Sequence, residues 1–301
     1  MQGALHLVAD VGGTNCRLAV ADATGVRTQT ARRFRNDDYA SFADLARVYL
    51  ADQPQMTSAA VAIAGPVGKG WGRLTNRDWH FDATDLARDL SIETAYLLND
   101  LEALGHAIGV LPRASLRHLS GTPVENEQQS IVVGLGTGFN VSAAHVPSGV
   151  VLAAEMGHAS LPQSVAAIIH EAVGDTHGFD TVEHLFSGRG LANLHAVRTG
   201  QNCKPEDVAE AEGGADTQII MARALGYLLR EIAYLYLPEG GVYFNGSLAR
   251  TLLAQTTAHL VLAPLQEDAS FHGRIASIPV YLLTDDASAL YGCARYLALH
   301  P

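Results

Sequence analysis

Two glycine-rich stretches carry the polar residues that could bind phosphate in this 301-residue chain. The first, Asp10-Val-Gly-Gly-Thr-Asn-Cys-Arg17, follows one apolar run and precedes another, Leu18–Ala21. Paired glycines let backbone N–H groups turn toward an anion, and Thr14 and Arg17 add further donors. Asp10 stands at a predicted strand end, where a carboxylate could hold a hydrated Mg²⁺ that bridges phosphates. An ordinary glycine hairpin also uses Gly-Gly, but the stretch as a unit favours phosphate binding.

The kind of loop can be narrowed by what surrounds it. A Walker loop needs GxxxxGK[ST] between a strand and a helix, and a dinucleotide-binding loop needs GxGxxG opening a helix. The first stretch has neither spacing and is followed by a strand, so we predict a hairpin. The second stretch, Gly134-Leu-Gly-Thr-Gly138, lies between predicted strands at Gln129–Val133 and Val141–His145. It is weak evidence alone, but two such hairpins could clamp the β- and γ-phosphates of ATP from opposite lobes.

The rest of the chain alternates apolar runs of strand length with segments of helical periodicity. We predict further strands at Ala4–Ala9, Ala59–Ala64, Thr94–Leu98, Gly241–Phe244 and Pro279–Leu283. We predict helices at Asp38–Leu50, from a cap at Asp82 to Leu90, and at Ser164–Val173, Thr217–Leu237 and Ser288–Leu299. The repeated order of strand, glycine loop and strand predicts an α/β protein with two similar lobes.

Composition excludes several classes of partner. The 31 acidic residues outnumber the 20 basic ones, and the net charge of −11 opposes binding to nucleic acid or anionic lipid. Cys16, Cys203 and Cys293 show no CxxC spacing, which argues against a disulfide scaffold or zinc site and suits a reducing cytosol. No signal-peptide pattern is evident at the start, and charges interrupt the longest apolar stretch, Ile219–Leu237. We therefore expect a cytoplasmic protein without nucleic-acid or membrane partners.

The ordered set of motifs resembles that of bacterial glucokinases in the hexokinase–actin-like ATPase superfamily, nearly from end to end. Besides the glycine stretches, the matching pieces are Ala64-Gly-Pro-Val67, Leu74-Thr-Asn76, Leu98-Asn-Asp100, Glu155-Met-Gly-His158, Glu183-His-Leu-Phe-Ser-Gly188 and Gly240-Gly-Val-Tyr-Phe-Asn-Gly246. The lack of a cysteine-rich zinc motif places the resemblance with the non-zinc group. It implies a two-lobed actin-like ATPase (ribonuclease H-like) α/β fold with mixed sheets and a cleft between lobes. The implied limits are residues 1–107 plus 287–301 for a small domain and 108–286 for a large one.

The resemblance implies ATP-dependent phosphorylation of glucose at its 6-hydroxyl, with Asp100 as the base that takes the hydroxyl proton. An Asn-Asp pair alone is more typical of a helix N-cap, and both roles can coexist. The implied sugar contacts are Asn76, Asn99, Asp100, Glu155, His158 and Glu183. The implied ATP contacts, with Mg²⁺ held through water by Asp10, are Asp10, Gly12, Gly13, Thr14, Asn15, Arg17, Gly136, Thr137, Gly138 and Gly246.

The chain departs from the family pattern at several positions, including the closing segment Thr284-Asp-Asp-Ala-Ser288. Met156 stands where Glu-Gly-Gly-His has a glycine, and its side chain could narrow or reshape the sugar pocket. Asn140 replaces the last glycine of Gly-Thr-Gly-x-Gly. The stretch Gly240–Ser247 resembles the adenosine loop of the family, and Ser247 replaces the last glycine of that loop. A kinase for another hexose and a non-catalytic hexose sensor therefore stay open as alternatives, although the retained Asp100 argues against the sensor. The resemblance also suggests a homodimer.

Overall fold

The computed structural model describes residues 3–124, 128–176 and 178–300. The strands are β1 His6–Val11, β2 Asn15–Asp22, β3 Gly25–Arg35, β4 Ser58–Ile63, β5 Val67–Gly68, β6 Trp71–Arg73, β7 His80–Asp82, β8 Thr94–Asn99, β9 Leu116–Ser120, β10 Gln129–Leu135, β11 Phe139–His145, β12 Val150–Ala153, β13 Gly241–Asn245 and β14 Val280–Leu283. The helices are α1 Phe42–Leu50, α2 Ala83–Leu90, α3 Asp100–Ala107, α4 Gln163–Val173, α5 Val182–Leu185, α6 Gly188–Thr199, α7 Gly214–Tyr236, α8 Ser247–Leu252, α9 Ala258–Gln266 and α10 Ser288–Leu299.

Unit 1 comprises Met1–Ser115, Ser148–Val151 and Asp285–Pro301. Its main sheet has the strand order β3-β2-β1-β4-β8, in which β1 and β2 form an antiparallel hairpin and β1, β4 and β8 run parallel. Every residue of β4 is buried, as its uninterrupted small and apolar sequence requires of a strand covered on both faces. Helices α3 and α10 pack against each other, and α10 also covers β1 and β4.

Unit 2 comprises Leu116–Pro147 and Leu152–Thr284. Its sheet has the order β12-β11-β10-β13-β14-β9, with β10 and β11 as an antiparallel hairpin and β10, β13 and β14 parallel. The long helix α7 packs against α4 and α9 and contributes a continuous set of buried side chains to this unit's own core. A second, separate cluster of buried side chains forms the core of unit 1.

The two sheets share one plan: three strands consecutive in sequence, two of them an antiparallel hairpin, followed by two strands parallel to the first. This shared plan is the structural form of the repeat that the two glycine stretches predicted. The α/β class with mixed sheets is confirmed, and the predicted helix cap at Asp82 is present, since its side chain accepts from the Asp85 amide. In the described ranges, no helix is long and apolar enough to cross a membrane.

The pattern analysis missed strand β3 and the small sheet β5-β6-β7. β3 lies at a sheet edge and is mostly exposed, and its arginines break the alternation that marks a half-buried strand. The strands of the small sheet are two or three residues long, too short for any periodicity to develop.

Candidate active site

Two carboxylates of unit 1 lie at one edge of its sheet. Asp10 is near the end of β1, and Asp100 directly follows β8. Because β1, β4 and β8 are parallel, their carboxyl ends lie at the same edge of the sheet. Ligands of α/β proteins commonly bind at this edge. Burial, and to a smaller extent the negative charge of Asp10, raise the pKa of Asp100 to about 6. Burial also raises the pKa of Asp10 to about 6, although the Arg17 guanidinium opposes this shift.

Asn99 fixes Asp100 in place. Its side-chain oxygen accepts from the Leu101 amide at 3.0 Å, and Glu102 Oε2 accepts from the Asn99 amide at 3.2 Å, which together form a capping box. Asn99 Nδ2 donates to the Gly65 carbonyl at 3.1 Å, just beyond the end of β4. One N–H of the Asn99 side-chain amide is thus used within the fold, and among the described residues no hydrogen bond uses the other. The capping role predicted for this pair is present.

The loop Gly12–Thr14 between β1 and β2, here called the phosphate hairpin, has its carbonyls turned inward. The buried Asn36 donates from Nδ2 to the carbonyls of Gly12, at 2.8 Å, and Gly13, at 3.1 Å. Since C=O and N–H of a trans peptide point in opposite directions, the amides of Gly13 and Thr14 face away from Asn36. No hydrogen bond from elsewhere in the described chain reaches these two amides. Both amides are therefore free to donate to an anion, and the phosphate contact predicted for this loop stays a prediction.

Arg77 is a second clamp on the phosphate hairpin. Its Nε donates to the Gly13 carbonyl at 3.2 Å, and its guanidinium lies 5.2 Å from the ring centroid of Trp79. Sequence reasoning missed both Asn36 and Arg77. Arg77 directly follows Asn76, which belongs to a recognised motif, but Asn36 belongs to none, and a buried asparagine at the end of an exposed strand gives no local signal.

Other predicted residues of unit 1 lie around the phosphate hairpin. The Asn15 carbonyl accepts from the Gly12 amide at 3.0 Å and closes the turn. Asn76 is exposed, with its Cβ 3.4 Å from the position a side chain at Gly13 would occupy. Arg17 is held by two carboxylates: Nη1 is 3.4 Å from Asp10, and Nη2 is 3.2 Å from Asp286. Its predicted contact with phosphate stays a prediction.

Asp10 fits the water-mediated Mg²⁺ role predicted for it. Mg²⁺ prefers oxygen ligands, keeps several waters and is commonly held by one or two carboxylates together with substrate phosphates. Asp10 contacts Arg17 through Oδ2 at 3.4 Å, and within the described residues no hydrogen bond occupies Oδ1. The same part of the chain holds no cluster of three or more His, Cys, Asp or Glu side chains that could bind a metal on its own. A single buried carboxylate therefore suits an ion that phosphates and water also coordinate.

Unit 2 brings two glycine turns together at the carboxyl ends of neighbouring parallel strands. In the loop after β10, the Gly136 amide donates to the Gly138 carbonyl at 3.0 Å, and the Gly136 carbonyl accepts from the Gly188 amide at 2.8 Å. Thr137 between them is exposed. Gly246, after β13, has φ of 113°, and a Cβ there would lie 2.3 Å from the Leu135 carbonyl oxygen. Only glycine allows this approach of the two turns.

The predicted acidic sugar contacts of unit 2 meet the beginning of β11. Glu183 Oε2 accepts from the Phe139 amide at 3.1 Å, and a side chain at Gly138 would come within 2.6 Å of the same oxygen. Glu155 is exposed, and its Oε2 accepts from Asn140 at 3.1 Å. His158 ends the short 3₁₀ turn Met156–His158 and is also exposed.

The contacts of Met156 are visible in the structure, and the effect predicted for it on the sugar pocket stays a prediction. The side chain is half-buried and packs against the hydrophobic core of unit 2. The hydrophobic effect explains this packing, because an apolar thioether side chain is more stable against the core than in water. The methionine thus anchors its turn to the core beneath it.

Comparison with known proteins identifies the family. The glucokinase family model matches residues 7–300. The glucokinase of Erwinia tasmaniensis is 31% identical over 312 residues, covering 97% of this chain and 96% of its own. The crystal structure of a glucokinase from an Antarctic psychrotroph has a TM-score of 0.81 at 24% identity, covering 98% of this chain and 99% of that one. A ROK family glucokinase from Streptomyces griseus, solved with glucose and AMPPNP, has a TM-score of 0.61 at 18% identity, covering 99% and 100%.

The structural similarity confirms the predicted fold class, that of the actin-like ATPases. Because the family model spans nearly the whole chain, and a curated relative above 30% identity covers almost all of it, the chain belongs to the glucokinase family.

Proposed function

We propose that this protein transfers the γ-phosphoryl group of ATP to the 6-hydroxyl of glucose, producing glucose 6-phosphate and ADP. The observation that carries the proposal is the half-buried Asp100 carboxylate, whose pKa the nearby Asp10 helps to raise, at the carboxyl edge of parallel strands in a chain of the glucokinase family. Relatives named glucokinase and a neighbour solved with glucose and AMPPNP support the choice of substrate and donor.

Asp100 acts as the general base. A carboxylate whose pKa is raised to about 6 is ionised at neutral pH, and it accepts a proton more readily than an ordinary aspartate does. Its position is held by the Asn99 capping box and by the Leu101 amide, which donates to Asp100 Oδ1 at 3.0 Å. The proton of the 6-hydroxyl passes to Asp100 as the sugar oxygen attacks the γ-phosphorus.

We assign the remaining sugar contacts to Asn76, Asn99, Glu155, His158 and Glu183. Carboxylates accept hydrogen bonds from sugar hydroxyls, and imidazole and amide groups can both donate and accept. An epimer that leaves one of these groups unpaired is rejected, because a desolvated polar group without a partner is costly.

For ATP, we assign phosphate binding to the outward amides of the phosphate hairpin and to the loop Gly136–Gly138, and adenosine binding to the turn at Gly246. Backbone N–H groups held in advance stabilise the charge that develops on the moving phosphoryl without reorganising. Asp10 would hold Mg²⁺ through water, and this would supply positive charge to offset that of the phosphates.

We place the reaction in the cytoplasm. Cys16, Cys203 and Cys293 are all free thiols, as expected of a protein from a reducing compartment. Burial raises the pKa of the Cys16 thiol to about 12, so this cysteine inside the phosphate-binding motif stays protonated and inert.

A coupled assay that follows ADP release tests the proposal. With Mg-ATP, glucose should give turnover well above that of mannose, fructose and an amino sugar. Asp100→Ala should abolish it, whereas Asp85→Asn, an exposed first-turn aspartate of α2, should leave it unchanged. ADP release from glucose no faster than from ATP alone would refute the proposed function.

A further inference from the structure

Two consecutive residues at the beginning of β11 hold the two glutamates that we assign to the sugar. The Phe139 amide donates to Glu183 Oε2 at 3.1 Å, and Asn140 Nδ2 donates to Glu155 Oε2 at 3.1 Å. The first contact uses the backbone and is open to any residue but proline. The second needs the amide side chain, which stands where the family motif usually has glycine.

Asn140 also binds the backbone on both sides of Glu155. Its Nδ2 donates to the Ala154 carbonyl at 2.6 Å, and its Oδ1 accepts from the Met156 amide at 3.0 Å. One side chain therefore contacts three successive residues, 154 to 156. Glu155 itself is exposed, and in the described residues nothing besides Asn140 hydrogen-bonds its carboxylate.

The turn that follows is anchored at two further points. Gly157 lies against β11, where a Cβ would come within 2.2 Å of the Phe139 carbonyl oxygen. The Ala159 carbonyl accepts from the Val182 amide at 2.9 Å, which ties the turn to α5, the helix that carries Glu183. The Met156 side chain also packs on the core. The backbone around Glu155 is therefore held by several contacts, whereas the Glu155 side chain itself is exposed.

We propose that Asn140 is the positioning residue for Glu155, and that it sets the affinity of this enzyme for glucose without affecting ATP. The proposal rests on the proposed function in that Glu155 is taken to accept a sugar hydroxyl. A carboxylate held in advance in its binding geometry avoids the entropy cost of ordering a long side chain when the sugar binds. Asn140 and Met156 then act together, since Asn140 fixes the backbone of the turn and the Met156 side chain attaches the turn to the core.

The kinetic test uses Asn140→Ala, with Asn202→Ala in an exposed loop of the same unit as the control. We expect Asn140→Ala to raise KM for glucose by about fivefold or more, the scale of one ordinary hydrogen bond. KM for ATP should stay within about twofold, and the control should match wild type in both. An unchanged KM for glucose, or an equal rise in both KM values, would overturn the proposal.

A double-mutant cycle identifies the route of the effect. If Asn140 acts through Glu155, then adding Asn140→Ala to Glu155→Ala should change kcat/KM for glucose by less than about twofold. If the two effects simply multiply, the proposal is wrong, because Asn140 would then act independently of Glu155.

Asn140→Asp keeps one of the two backbone contacts of Asn140. Aspartate retains the oxygen that accepts from the Met156 amide, but it cannot donate to the Ala154 carbonyl, and it places a second negative charge beside Glu155. Hydrogen exchange of a peptide covering residues 150–160 should therefore speed up in both variants, and more in Asn140→Ala, which loses both backbone contacts, while both raise KM for glucose. If exchange is unchanged in Asn140→Ala, the proposal is wrong, and this test does not depend on turnover. If the wild-type protein has no turnover, that result counts against the proposed function instead.

Discussion

Replacing the base Asp100 by asparagine should remove turnover and make the protein more stable. Asparagine keeps the side-chain oxygen that accepts from the Leu101 amide but cannot carry the charge. A pKa raised from 3.8 to about 6 corresponds to about 3 kcal/mol of unfolding free energy lost above pH 6. Burial is the larger cause and repulsion from Asp10 the smaller, and asparagine relieves both. For a chain of this size, that gain raises Tm by about 5 °C.

The pH dependence of the gain is the decisive part. The folded-state pKa of Asp100 lies above its unfolded value, so the wild-type protein binds the extra proton in the folded state and loses stability as pH rises from about 4 to about 6. The Asp100→Asn protein lacks this contribution. The Tm difference between the two should therefore be near zero at pH 4, grow through pH 6 and be complete at pH 7.5.

Thermal unfolding in EDTA, without nucleotide or sugar, measures this difference at several pH values. Asp85→Asn is the matched control, because Asp85 also lies in the first turn of a helix but is exposed and paired with Arg88. It should leave Tm unchanged or slightly lower it at every pH. The reasoning is refuted if Asp100→Asn lowers Tm at pH 7.5, or if its effect is the same at pH 4 and pH 7.5.

Three further predictions concern catalysis and ATP binding. Turnover of the wild-type enzyme should fall as pH is lowered through about 6, since protonated Asp100 cannot accept the hydroxyl proton; a profile that stays flat to pH 5 would contradict this. Asn36→Ala should raise KM for ATP by about tenfold and leave KM for glucose unchanged, because the phosphate hairpin loses its clamp; equal changes in both would argue against it. Gly246→Ala should raise KM for ATP and lower Tm, since the new Cβ would clash with the Leu135 carbonyl oxygen. The control Gly200→Ala also has positive φ but has open space around it, so it should lower Tm only slightly and leave KM for ATP unchanged.

Local patterns predicted the elements that hold the site. The hairpin after β1 followed from the strand on its far side, and the helix after Asp82 followed from a cap and an apolar periodicity. The repeat of strand, glycine loop and strand predicted two similar sheets, because the same local order leads to the same pairing. Such features depend on residues within a few positions of one another, which is the range that a sequence pattern reports.

The contacts that fix the site geometry lie beyond that range. Asn36 hydrogen-bonds Gly12, which is 24 positions away in sequence, and Arg77 hydrogen-bonds Gly13, which is 64 positions away. No sequence motif indicates either contact. The direction of the Met156 side chain also required the structure, because a methionine after a glutamate gives no indication of whether it faces the core or a ligand.

The sequence by itself determined the family, the α/β class and the identity of the candidate base and phosphate loops, since these are carried by short motifs in a fixed order. Tertiary structure alone decided which carbonyls of the phosphate hairpin are clamped, how far the pKa of Asp100 rises and which residue holds Glu155. Each of these depends on burial and on hydrogen bonds between segments distant in sequence, and neither exists until the chain has folded.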